Sequence, residues 1–215
     1  RRCGRCTAFA KAPAYLTNIT WPPRSPLLLP TDMPYELIAF IIGTATLVWL
    51  SRKSLRSPGQ HGFYRFFAWE AILGLIVLNQ KVWGTDPFSA HQITSWLLML
   101  LSIFLVIQAY RLMTKHGQAS LARDDGTLYQ FEKTTQLVTT GIFGYIRHPM
   151  YTSLLALAWG AYFQNPNLLG TAIAAFASFC LLLTAKADEQ ECLAYFGPSY
   201  AAYMQRTRRF IPYLL

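Results

Sequence analysis

The sequence predicts an all-α, polytopic integral membrane protein of about five transmembrane helices, the last two forming a C-terminal helical hairpin. Three observations predict it. Only 13% of the 215 residues are charged and 53% are hydrophobic, whereas a soluble domain carries roughly a quarter charged residues. The apolar residues gather in five runs. The Lys and Arg residues fall between those runs, after alternate ones only.

A helix needs about 17–25 residues to cross a bilayer. The first run, residues 35–50 ("YELIAFIIGTATLVWL"), and the second, residues 63–83, meet that length acceptably. The third, residues 93–110 ("ITSWLLMLLSIFLVIQAY"), fits it well. The fourth, residues 150–163, is short by itself. The turn "QNPN" at 164–167 leads directly into the fifth run, residues 168–183, and so predicts a helical hairpin. Buried core helices of a soluble protein are the alternative, but five of them in so short a chain leave too little polar surface.

Arg52, Lys53, Arg56 and Arg65 follow the start of the first loop, and Arg111, Lys115, Arg123, Lys133 and Arg147 follow the third run. Lys186, Arg206, Arg208 and Arg209 follow the fifth. The turns at 84–92 and 164–167 carry no Lys or Arg. By the positive-inside rule the three basic segments face the cytoplasm and the N-terminus lies outside. Arg1, Arg2, Arg5, Lys11 and Arg24 oppose that orientation, as a short basic tail that later helices can overrule.

The net charge of +9 is therefore a membrane topology signal, and no nucleic-acid partner is expected. Residues 1–33, Pro-rich ("WPPRSPLLLP") and without the apolar core of a signal peptide, read as a poorly defined N-terminal extension. Cys3 and Cys6 form a lone CxxC there, which cannot complete a tetrahedral metal site, so no metal is expected. Cys180 and Cys192 read as packing residues. The chain thus divides into the extension, a region of three spans at 34–110, and a polar-plus-hairpin region at 111–215.

The dense polar information lies in that last region. The segment after residue 110 is too long for a simple connector, and loops of that length are usually functional or disordered. It contains the turn signal "DDGT" and then "KTTQLVTTG", which reads as an ordered interfacial loop with exposed backbone groups. Arg147 and His148 follow, with Pro149 suited to the first turn of the fourth helix. A helix N-terminus beside a guanidinium and an imidazole favours a carboxylate. A snorkelling Arg and an interfacial His anchoring a helix end fit the same residues. Beyond the fifth run, Asp188 and Glu189 lie about one turn further along the helix, which Gly197 ends and Pro198 restarts. Tyr200 and Tyr203 then share one face. Because the hairpin returns the chain to the same membrane side, His148 and Glu189 are predicted neighbours. Such a pair flanking a cavity can hold a zwitterion by both of its charges. Solvated acids and interfacial tyrosines are the bland alternative.

These residues carry a resemblance. "LVTTGIFGYIRHPMYTSLL" resembles the cofactor segment of the isoprenylcysteine carboxyl methyltransferases and their bacterial relatives, in a superfamily shared with phospholipid methyltransferases. Leu137, Val138, Gly141, Arg147, His148, Pro149 and Tyr151 are in register with it. "DEQECLAYFGPSYAAYMQRTRRFIP" is similar to the family's closing motif, a Glu pair followed by F-G-x-x-Y-x-x-Y and a basic residue before F-x-P. Phe196, Gly197, Tyr200, Tyr203, Arg209, Phe210 and Pro212 match, and the Glu pair is Asp188 and Glu189 here. The likeness covers residues 132–212, and the first three spans match only in hydrophobicity. Phe143 stands for the usual Tyr, Thr135 for the usual His of the eukaryotic enzymes and Ser153 for Gly.

The resemblance implies a cytoplasmic-side pocket for S-adenosyl-L-methionine and a lipophilic methyl acceptor entering from the lipid bilayer. It implies cofactor binding by Leu137, Val138, Gly141, Tyr145, His148, Pro149, Tyr151, Glu189, Tyr200 and Tyr203. Arg147 and Glu189 are the expected catalytic residues, Arg147 either aiding His148 and Glu189 at the methionyl end or orienting the acceptor, and Glu189 removing a proton where the acceptor is an amine. Carboxyl methylation of an isoprenylcysteine-like substrate is the favoured reaction. Phospholipid amine methylation, a nicotinamide-dependent membrane sterol reductase with a similar R-H-P-x-Y element, and a non-catalytic scaffold remain alternatives. Glu70, an acid inside the second run, is a candidate for the acceptor channel. The oligomeric state is not legible.

Overall fold

The computed structural model describes residues 34–118, 129 and 132–213. The N-terminal CxxC and the "DDGT" turn lie outside the described residues. The chain divides into the units Arg1–Pro34 and Tyr35–Leu215, and the second carries the bundle and the site. Its helices are α1 (Pro34–Ser51), α2 (His61–Asn79), α3 (Ala90–His116), α4 (Pro149–Phe163), α5 (Leu168–Phe196) and α6 (Pro198–Arg206).

Among the described residues, three helices are long and apolar enough to span a membrane. They are His61–Val82, which is α2 with its closing 3₁₀ turn, then α3 and α5. At about 1.5 Å per residue, even the shortest, 22 residues, reaches about 33 Å. Tyr35–Ser51 is a shorter apolar helix, and α4 has 15 residues. The protein is an all-α integral membrane protein, and its described residues hold three helices of spanning length where five spans were expected.

Large apolar side chains point outward all along the bundle, among them Ile41, Ile42 and Trp49 of α1 and Leu97, Leu100 and Phe104 of α3. In water so much exposed apolar surface would drive association; in lipid it faces its own solvent. The interior is correspondingly small-residue. Ala71, Ala158, Ala161, Ala174 and Ala177 pack around Leu75 and Met99, as is usual where helices must approach without a hydrophobic drive between them.

α3 packs chiefly on α4, and α2 on α5. The α4–α5 hairpin forms at the expected turn, yet its arms take their main partners from the earlier helices. At Gly160 of α4 a Cβ would stand 3.0 Å from Met99 Cγ and 3.3 Å from Ser95 O of α3, so the backbones meet only because the residue is Gly. Ser95 Oγ donates to Gly160 O (2.6 Å), Gln164 Nε2 to Ser95 Oγ (2.6 Å), and Asn79 Nδ2 to Ala161 O (2.8 Å). These bonds tie α2, α3 and α4 together at the end remote from the polar loop. Glu70 meets α1, accepting from Thr44 Oγ1 at 2.9 Å.

Candidate active site

The two motifs are joined by backbone. Residue 146 forms a parallel bridge with residue 208. Arg147 N donates to Arg208 O (2.7 Å), His148 N to Arg209 O (3.2 Å), and Arg208 N to Tyr145 O (3.1 Å). Upstream, Gly117 O at the end of α3 accepts from Thr135 N and Gln136 N (3.0 and 3.1 Å), which anchors the polar segment to that helix. Gly141 takes a φ of +61°, and a Cβ there would lie 2.8 Å from Leu112 Cδ1. Only glycine suits that turn. Pro149 opens α4 with His148 in the capping position. At the other motif Gly197, with a φ of +57°, stops α5 so that Pro198 can begin α6.

The side chains converge accordingly. Glu189 is buried and accepts from Arg147 Nε (2.9 Å), Arg209 Nε (3.1 Å) and Arg209 Nη2 (2.6 Å). His148 lies between the two acids, Nδ1 3.3 Å from Asp188 Oδ2 and Nε2 3.4 Å from Glu189 Oε1. Arg147 also donates from Nη1 to Met204 O (3.1 Å) and to Thr207 O. Tyr151 stacks on His148 at 5.2 Å, and Tyr203 Oη donates to Phe143 O (2.7 Å).

Burial opposes the charge on His148, but hydrogen bonds and charge from Asp188 and Glu189 outweigh it and raise the imidazole above its ordinary value. Burial pushes the Tyr200 and Tyr203 phenols well up, so both stay neutral donors. The hydrogen bonds to Glu189, with burial opposing, hold Arg209 above the ordinary guanidinium value.

A cavity opens on this cluster. Its polar wall is Asp188, Arg147, His148 and Glu132; its aromatic wall is Phe143, Tyr151, Phe196, Tyr200 and Tyr203. Leu137, Val138, Met113, Met150, Thr134 and Pro149 complete it, with Cys192, which the sequence assigned to packing alone. The arrangement offers a carboxylate and an imidazolium a few ångströms apart, backed by ring faces and aliphatic groups.

Of the residues the sequence pointed to, Leu137, Val138, Arg147, His148, Pro149, Tyr151, Tyr200 and Tyr203 line the cavity. Glu189 sits behind that wall, bound by its two arginines. Gly141 shapes the turn without lining the cavity, and the Tyr145 side chain is 59% exposed. Two acids that the sequence reading left without a site role, Asp188 and Glu132, are on the wall. Neither were Arg65, His61 and Glu191 singled out for chemistry. Yet Arg65 is buried and pairs with Glu132 at 2.5 Å, and His61 Nδ1 lies 2.7 Å from Glu191 Oε2. A cation inside an apolar run was the available signal for Arg65.

A helical bundle with apolar outer faces and a polar, aromatic cavity assembled at its helix ends defines the class, a helical membrane protein. Residues 90–196, from the first residue of α3 to the last of α5, match the family model of phospholipid methyltransferases. The chain belongs to the isoprenylcysteine/phospholipid membrane methyltransferase superfamily. The match ends before Tyr200 and Tyr203, which therefore extend the cavity beyond it. Neither the curated proteins nor the solved structures contain a significant match to the chain.

Proposed function

We propose that this protein is an S-adenosyl-L-methionine-dependent methyltransferase acting on a lipid-like acceptor, with its cofactor cavity at the cytoplasmic face of the membrane. The observation that carries the reading is the His148–Asp188 pair on the wall of an aromatic cavity, 3.3 Å apart. The donor set suits that cofactor, a zwitterion bearing a sulfonium. Asp188 accepts from an ammonium, the His148 imidazolium faces a carboxylate, and Tyr200, Tyr203 and Phe196 offer ring faces to a cation. When bound, the cofactor supplies an electrophilic methyl group on sulfur.

The chain's own residues orient the reactants and exclude water. The backbone at Leu137 and Val138 would hold the adenosine, and their side chains would cover it. Pro149 fixes the start of α4 so that His148 faces the cavity. Glu189 holds Arg147 and His148 in place, which makes it a positioning residue in this reading. Alignment of two bound reactants can supply about 7–11 kcal/mol of a barrier. The basic loops on the cavity side support the cytoplasmic assignment.

For the acceptor, carboxyl methylation of an isoprenylcysteine-like molecule needs no base. Amine methylation of a phospholipid is the second reading, favoured by the family description and by Asp188 and Glu132 on one wall, where a carboxylate can take the amine's proton. The test is calorimetric titration of detergent-purified protein with S-adenosylhomocysteine and, separately, NADPH. Binding of the thioether, weakened in Asp188→Asn, is the expected result. Binding of NADPH alone would replace this reading with the reductase.

A further inference from the structure

We propose that Arg65 anchors an anionic group on the acceptor, a phosphodiester or a carboxylate, and that Glu132 occupies that anchor until the acceptor arrives. This rests on the methyltransferase reading and adds the acceptor's head-group chemistry to it.

Arg65 lies near the start of α2, in a helix apolar enough to cross the membrane, and is 4% exposed. Charged residues in such helices pair inside the bundle and tend to mark ligand paths. Arg65 Nη1 donates to Glu132 Oε1 at 2.5 Å. The other oxygen, Oε2, is turned away to accept from Tyr129 N at 3.0 Å. The pair is therefore one-pronged, although a guanidinium fork is shaped to bind an oxyanion through two parallel bonds. Two rings fix the guanidinium, whose Cζ lies 5.2 Å from the Trp69 ring centre and 4.8 Å from that of Tyr129.

Glu132 is itself on the cavity wall, so Arg65 stands one side chain behind it. The other guanidinium at the cavity, Arg147, is committed to Glu189 and two backbone carbonyls. An amphiphile that brings its head group to the Glu132 side of the cavity would meet Arg65 there as the fixed cation. Exchange of Glu132 for the incoming anion leaves Arg65 paired throughout, which avoids the large penalty of an unpaired buried charge. Glu132 then turns its carboxylate into the polar side of the cavity.

The test compares wild type with Arg65→Gln and Glu132→Gln, purified in non-ionic detergent. Each is titrated with short-chain phosphatidylethanolamine, with an S-prenylated N-acetylcysteine and with S-adenosylhomocysteine. The expected result is opposite signs in amphiphile affinity, each read relative to that variant's own thioether affinity. Arg65→Gln weakens binding of the amphiphile at least about tenfold, and Glu132→Gln tightens it several-fold by removing the competitor. The amphiphile that shows this pattern identifies the phosphodiester or the carboxylate as the anchored group. A merely structural Arg65–Glu132 latch would make both variants bind more weakly, and that overturns the proposal. So does wild-type protein that binds the thioether but neither amphiphile. Loss of thioether binding in wild type marks failure of the methyltransferase reading itself. If Arg65→Gln does not fold, the sign of the Glu132→Gln change alone decides.

Discussion

Arg147 and Glu189 form a buried ion pair, Nε to Oε1 at 2.9 Å, across the junction between the start of α4 and the last turns of α5. Glu189 also accepts from Arg209, so one carboxylate compensates two guanidinium groups. The pair links the two motifs through side chains as the 146–208 bridge links them through backbone. Removing one partner of a buried pair costs about 3–5 kcal/mol, because the other is left charged and unpaired. Glu189→Ala orphans both arginines and should lower the thermal midpoint most. Arg147→Ala should follow, since Arg209 still neutralises Glu189. Arg209→Ala, at the more exposed position (27% against 9%), should matter least. Thermal unfolding in detergent gives the order directly, and equal effects would contradict the shared-carboxylate account.

Asp188 should behave differently from its neighbour. Its carboxylate faces the cavity and His148 without an arginine, and its side chain is 21% exposed. Asp188→Asn keeps the shape and removes the charge. A charge-assisted hydrogen bond is worth about 1.5–3 kcal/mol, so affinity for S-adenosylhomocysteine should fall about 10- to 100-fold, with a smaller fall in thermal midpoint than Glu189→Ala gives. A fall in stability without a fall in affinity would move Asp188 from the site to the scaffold.

The contrast between these two acids shows what was legible in the sequence. Hydropathy placed all five apolar runs on helices, and the Gly197–Pro198 pair marked the α5–α6 break. Spacing also brought His148 to Glu189, because a hairpin must return both to one side. Helical position alone could not say which of two adjacent acids faces the cavity, since that depends on where Arg209 lands after α6. The pairing of α3 with α4 and of α2 with α5 was equally hidden. Apolar stripes in lipid carry little partner information, and the small residues that permit contact, such as Gly160, resemble many others. Arg65 and Glu132 are 67 residues apart, so no local pattern joins them.

Two glycines separate close packing from mere helix propensity. At Gly160 a Cβ meets Met99 Cγ at 3.0 Å, but also Met99 N and Ser95 O at 3.3 Å, and backbone cannot yield as a side chain can. Gly160→Ala should therefore destabilise by about 1–3 kcal/mol through overpacking. At Gly74 the nearest atom to a new Cβ is Phe40 Cε2 at 4.0 Å. Gly74→Ala should be neutral, or stabilise by up to about 1 kcal/mol through lost backbone freedom. Paired unfolding measurements test this, and a tolerated Gly160→Ala would mean that α3 and α4 separate more readily than their hydrogen bond at Ser95 implies.

The site should also carry a pH signature from His148. Burial opposes protonation there, but Asp188 and Glu189 prevail and raise the imidazole. The Arg147 and Arg209 guanidiniums, bonded to the same Glu189 Oε1, oppose the charge on His148, whereas the rings of Tyr151 and Phe210 carry none at neutral pH. A raised folded value means that the stabilising contribution is fully present below the unfolded value of about 6.5. It is lost as pH rises through the folded value, where the imidazolium gives up its proton. Wild-type stability should thus decline as pH rises above that unfolded value and through the folded one, and so should affinity for S-adenosylhomocysteine, whose carboxylate would face the same imidazolium in the proposed site. Tyr200 and Tyr203, pushed well up by burial, do not titrate there. In His148→Gln, which has no proton to lose, both declines should flatten. A wild-type decline that survives unchanged in His148→Gln would assign the titration to another group and remove His148 from the role given to it.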